Sequence, residues 1–236
     1  MAGWLEERKE KRFYQEILAE DEISDRAYNF AIGGILVYGL LMNVGMCYAF
    51  GDSIVEFVLG SPAMFYIAYF VLCFGGIMLS SKSDNAVLSF VGYNMVAVPI
   101  GLVLTVTIYA YGGLGSEVIT QAFIITALIT GFMVAFAVYK PEFFEKLGGV
   151  LFACLGGLVL AEIVLLIFRV DQEITSWIGA ALFSLYIGYD FHKAQAYQKT
   201  LDNAVDSALD IYLDVINLLL RIIRILGSKG GSRSRR

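Results

Sequence analysis

The sequence predicts an all-α polytopic membrane protein, and three observations lead there. Hydrophobic residues make up 58% of the chain and charged residues 17%, with a mean hydropathy of +0.70; a soluble domain has about 45–50% and about 25%. Six apolar runs, at about 29–50, 61–80, 86–110, 117–139, 148–168 and 174–191, come near the ~20 residues that cross a bilayer. A seventh, "DNAVDSALDIYLDVINLLLRIIRIL" from Asp202 to Leu226, is apolar yet carries an aspartate at every fourth position.

Residues 1–28 precede the first run as a charged arm with eight acids and five bases, and read as a solvated cytosolic segment. Residues 29–226 form the transmembrane domain, and 227–236 a basic tail, "GSKGGSRSRR". The runs are separated by short breaks of turn chemistry: "GDS", "SKSDN", "YGGLG", "YKPEFFEK" and "RVDQE". No secretory signal pattern stands before the first run. Glycines in "FGGIM" and "LGGLVLAE" suit close helix packing in lipid, and Pro99 is expected to kink the third helix. Cys47, Cys73 and Cys154 lie in apolar runs without metal-ligand or disulfide spacing and read as small hydrophobes. The single His192 has no histidine partner, and no glycine pattern suggests a nucleotide site. No cofactor and no nucleic-acid partner are expected.

Orientation follows from Lys and Arg in the short loops. Arg8, Lys9, Lys11, Arg12 and Arg26 of the arm join Lys82, Lys140, Lys146, Lys193 and Lys199 on one side, against Arg169 on the other. The N-terminus is therefore expected in the cytosol. The tail conflicts with this, because Lys229, Arg233, Arg235 and Arg236 favour the cytosol whereas seven full crossings end outside.

On a helical wheel of about 100° per residue, Asp206, Asp210, Asp214, Asn217, Arg221 and Arg224 share a sector of about 80°. Facing lipid, each charge would cost about 2.5–3.5 kcal/mol. The stripe is therefore expected to face protein or water inside a bundle. The competing reading is an amphipathic helix lying on the membrane, though such helices are usually rich in Lys and Arg rather than in acid. Asp190, in "SLYIGYDFHKAQ", is the other carboxylate at the edge of an apolar run. Two acids that converge in a low-dielectric interior cannot both ionise freely and can share a proton; ionised, they offer oxygens to a hard cation such as Ca2+. The plainer reading leaves Asp190 at a helix end in the wet interface. Glu162, in mid-run, either lines a cation path or is protonated and hydrogen-bonded to a neighbouring helix. Asn43, Asn94 and Gln121 read as interhelical contacts.

"LFSLYIGYD" followed by "DNAVDSALDIYLDVINLLLRIIRIL" closely resembles the C-terminal signature of the Bax inhibitor-1 (transmembrane BAX inhibitor motif) family. The resemblance implies a seven-helix bundle with the C-terminal helix central and six helices around it. It also implies a pH-sensitive calcium leak gated by two aspartates, which fall on Asp190 and Asp214, where Ca2+ would bind transiently. Some members carry an arginine near the end of the second helix that latches these aspartates. The matching "MLSSKSDN" holds Ser80, Ser81 and Lys82 instead, and a lysine does not replace a bidentate guanidinium.

The sequence-level expectation is thus a non-enzymatic, proton-sensing Ca2+ pathway. Asp190 and Asp214 are its gating pair, Asp206, Asp210 and Glu162 candidate path residues, and Lys82, Asn217 and Arg221 candidate latch or stripe partners. Bilayer lipid, Ca2+ and H+ are the expected partners, and a bacterial inner membrane the expected site. Two alternatives stand beside it: an H+/Ca2+ exchanger using the same carboxylates, and a non-transporting membrane regulator of stress or cell-death partners. An intramembrane aspartyl protease is disfavoured, because "YD" lacks the partner "GxGD".

Overall fold

A computed structural model describes residues 22–168, 170 and 172–233. The arm up to residue 21, Arg169 of the charge argument and the last three residues of the tail lie outside them. The described chain forms eight helices and, among the described residues, no strand. They are α1 (Asp25–Gly60), α2 (Pro62–Lys82), α3 (Ala86–Ala110), α4 (Glu117–Tyr139), α5 (Pro141–Glu145), α6 (Gly148–Ile167), α7 (Glu173–Ala196) and α8 (Leu201–Arg233). Five of them, α1, α2, α3, α4 and α6, are long and apolar enough to cross a membrane. This is a membrane protein with transmembrane helices.

Local chemistry explains most helix ends. Ser24 caps α1 by accepting from the Ala27 amide at 3.2 Å, with Asp25 in the favourable first turn. Pro62 opens α2 at a position where its missing N–H costs nothing. Asn85 accepts from the Val87 amide at 2.9 Å just before α3. Ser116 caps α4 through the Ile119 amide at 3.2 Å. Gly112 and Gly113, at φ 99° and 81°, supply the left-handed backbone of the "YGGLG" turn.

Two expectations change. The first helix does not stop at "GDS" but continues to Gly60, with non-helical dihedrals only at Phe50. Gly51 is used for closeness rather than for a turn, since a Cβ there would collide with the Tyr109 ring. The last helix continues past Leu226 to Arg233.

The chain divides into two compact units. The first holds the described residues up to Tyr109 together with Ala194–Tyr212. In it, Gly76 of α2 and Gly92 of α3 meet backbone to backbone, and a Cβ on either would lie 2.6 Å from the other's carbonyl oxygen. This is the packing expected of "FGGIM". Asn43 of α1 donates to the Tyr212 hydroxyl of α8 at 2.5 Å, and Tyr38 of α1 to Asn94 of α3 at 2.8 Å. Both asparagines are thus interhelical contacts. Ile54, Val58 and Phe65 form a small apolar cluster.

The second unit holds Ala110–Lys193 and the chain from Leu213 onward. Gly188 of α7 lies against Phe144 and Met133, and Gly148 of α6 against the Tyr189 ring. Gly156 and Gly157 behave otherwise: both are exposed and a Cβ on either would meet nothing within 4 Å. Among the described residues, the glycines of "LGGLVLAE" therefore make no close packing contact. Gln121 hydrogen-bonds Glu117 on its own helix rather than a neighbour.

Candidate functional site

α8 carries the acid stripe, and its burial separates the two readings of that stripe. Val205, Ala208, Leu209, Ile211, Tyr212, Val215, Ile216, Leu218, Leu219, Ile222 and Ile223 are all buried. So are Asp206, at 3% exposure, and Asp214, at 7%. A helix lying on the membrane with its acids in water would show the opposite, so that reading is set aside. The residues of the stripe then go to different partners.

In the first unit the acids of α8 meet serines. Asp206 accepts from the Ser80 hydroxyl at the end of α2. One turn earlier, Asp202, also buried, lies 2.5 Å from the Ser89 hydroxyl of α3, which in turn lies 3.2 Å from the Ser80 carbonyl. Ser81 bonds back to Ile77 of its own helix, and Lys82 is exposed. Ser80 is thus an α2 residue that reaches an acid of α8 through its hydroxyl. Asp210 is half-buried. Nearby, the Tyr28 hydroxyl lies 3.1 Å from both the Ser207 hydroxyl and the Ala194 carbonyl, and Lys199 sits 4.5 Å over the Tyr28 ring.

In the second unit, Asp190 of α7 is half-buried, with the Lys193 ammonium 3.6 Å away one turn along. Asp214 enters from α8. Both carboxylates stand within electrostatic range of the Tyr186 phenol on α7. Tyr186, which is not among the residues singled out from sequence, is thus a group that feels both acids. Its spacing could have found it, because Tyr186 and Asp190 in "YIGYD" are four residues apart and share a helix face.

Glu162 and Arg221 are the other pair of this unit. Arg221 of α8 binds Glu162 of α6 through both nitrogens, the Nη2–Oε2 bond measuring 2.9 Å and the Nη1–Oε1 bond completing the fork. Glu162 therefore ties α6 to α8. Asn217 donates to the Leu213 carbonyl of its own helix at 2.8 Å. Arg224 reaches Gln172 at 3.1 Å and Ser176 at 3.5 Å. Among the described residues, no three His, Cys, Asp or Glu side chains are grouped as metal ligands.

A family profile, "Inhibitor of apoptosis-promoting Bax1", matches residues 22–231. The chain belongs to this family. An uncharacterized protein of Borreliella burgdorferi is 27% identical over 235 residues, covering 91% of this chain and 95% of its own. One from Helicobacter pylori (strain J99) is 29% identical over 167 residues, 70% of each chain. Mouse "Protein lifeguard 4" is 32% identical over 110 residues, 46% of each chain. The resemblance read from the C-terminal motif thus extends along nearly the whole described chain.

Proposed function

We propose that this Bax inhibitor family protein is a passive, non-enzymatic, pH-sensitive Ca2+ leak, with Asp190 and Asp214 as its proton-sharing gate. In this reading seven helices cross the membrane, with α8 at the centre and the N-terminus in the cytosol of a bacterium. One observation carries it: two carboxylates from different helices both act electrostatically on the Tyr186 phenol, and one of them, Asp214, is buried. Such a pair has few ways to hold two negative charges, so a proton or a cation relieves it. Ionised, the pair offers oxygens to Ca2+, with water completing the six to eight the ion takes. Protonation replaces that cation contact with a hydrogen bond and biases α8 between two arrangements.

An H+/Ca2+ exchanger would use the same carboxylates and differs in stoichiometric proton counterflow. The family's description supports a third reading, a membrane regulator of cell-death partners. The discriminating experiment is Ca2+ flux into proteoliposomes from mildly acidic to mildly alkaline pH, with Asp190→Asn and Asp214→Asn beside the native chain. The leak reading expects pH-dependent flux that both substitutions flatten, with no coupled proton movement. Flux identical in all three proteins, or absent from all three, overturns it and moves the regulator reading forward.

A further inference from the structure

The Glu162–Arg221 pair has a seat built for it. Gly179 of α7 lies directly beneath the Arg221 side chain: a Cβ there would stand 3.0 Å from Nε and 3.2 Å from Cζ. The Phe183 ring, one turn along α7, has the guanidinium 6.0 Å from its centroid, within cation–π range. Both ionised side chains are largely withdrawn from solvent, at 11% and 22% exposure. One guanidinium thus contacts α6 through Glu162 and α7 through Gly179 and Phe183, while its own backbone belongs to α8.

Arg221 stands seven residues beyond Asp214 on that helix, two turns or about 10 Å. The guanidinium is held by Glu162 through two of its nitrogens. A continuous helix transmits axial position and rotation over such a distance with little loss. A fork that fixes the Arg221 end therefore fixes the azimuth and height of Asp214.

We propose that Glu162 and Arg221 are positioning residues for the gate: their forked ion pair, seated on Gly179 and Phe183, clamps the C-terminal half of α8 to α6 and α7 and sets where Asp214 stands relative to Asp190. This deepens the Ca2+ reading above and rests on it. The fork, rather than charge alone, does the positioning, because two parallel bonds fix rotation where a single contact does not.

The test uses the full-length protein with Glu162→Gln, Arg221→Gln, Glu162→Asp and the exchanged pair Glu162→Arg with Arg221→Glu. Each is checked for folding by size-exclusion elution and thermal unfolding. Two quantities are then read: the pH profile of Ca2+ flux in proteoliposomes, and amide hydrogen exchange of α8 residues 213–223. In Glu162→Gln and Arg221→Gln, alkaline flux should rise about fivefold or more, the lower end of usual site-to-site coupling. The pH profile should flatten, and exchange in 213–223 should quicken. Glu162→Asp and the exchanged pair should return the profile toward native. Single variants that fold and keep the native profile and exchange overturn the proposal. So does loss of thermal stability alone with an unmoved pH profile. If the native protein carries no Ca2+, the leak reading fails on its own. The clamp is then judged by exchange: quickening in the single variants with recovery in the exchanged pair upholds it, and unchanged exchange overturns it.

Discussion

The two compact units solve one problem in different ways. Each places carboxylates on or against the same helix; the first brings hydroxyls to two of them and the second brings cations to two of them. Asp202 and Asp206 take Ser89 and Ser80 as donors. Glu162 takes a guanidinium, Asp190 an ammonium, and Asp214 stands near the Tyr186 phenol. A hydroxyl can donate to a carboxylate or accept from a carboxylic acid, so it tolerates either protonation state. A forked arginine holds only the ionised form. A serine–carboxylate contact of the first unit can therefore persist across a pH change, whereas the Glu162–Arg221 fork of the second requires the ionised acid.

Substitutions that treat the two units alike should expose this difference. The largest effect is expected from Arg221→Leu, which leaves Glu162 without its cation. Removing one partner of a buried pair costs about 3–5 kcal/mol, and the residual exposure here reduces that to about 2–4 kcal/mol, read as denaturant unfolding in micelles. Combining it with Glu162→Leu should recover most of the loss, which would show that the penalty lies in the orphaned acid. Gly76→Ala comes next in the first unit. The added methyl has backbone on the other side and should cost about 1–3 kcal/mol by the same assay.

Ser80→Ala should be milder, about 1–2 kcal/mol for one lost bond to a carboxylate. A loss as large as that of Arg221→Leu would erase the proposed distinction between the units. Smallest is Gly156→Ala, within about 0.5 kcal/mol, since the methyl points into open space and alanine favours the helix. A loss near that of Gly76→Ala would mean that α6 packs against something beyond this chain.

These contrasts also mark how far the residues alone could be read. Asp190 and Asp214 were visible because carboxylates in apolar runs are rare and costly, and because "YD" and "YLD" sit in a recognisable C-terminal pattern. Tyr186 was hidden among many tyrosines that belong at membrane interfaces. Ser80 was noted only as the residue standing where an arginine was expected; its bond to Asp206 needed the meeting of α2 and α8. Glu162 stood out as a mid-run acid, but Arg221, 59 residues away, was assigned to the acids of its own helix. Wheel geometry reports which side chains share a face, not which neighbour that face meets.

Composition and patterning by themselves determined that the chain is helical and built for lipid, where several of its elements begin and end, and that α8 could not face hydrocarbon. These follow from local terms: transfer free energy, turn chemistry and the cost of exposed charge. Only the tertiary structure decided that "GDS" lies within a helix, that Gly76 packs while Gly156 does not, and which base serves which acid. Those outcomes depend on residues far apart in the chain arriving within a few ångströms of each other, and a long-range contact has no signature in either partner alone.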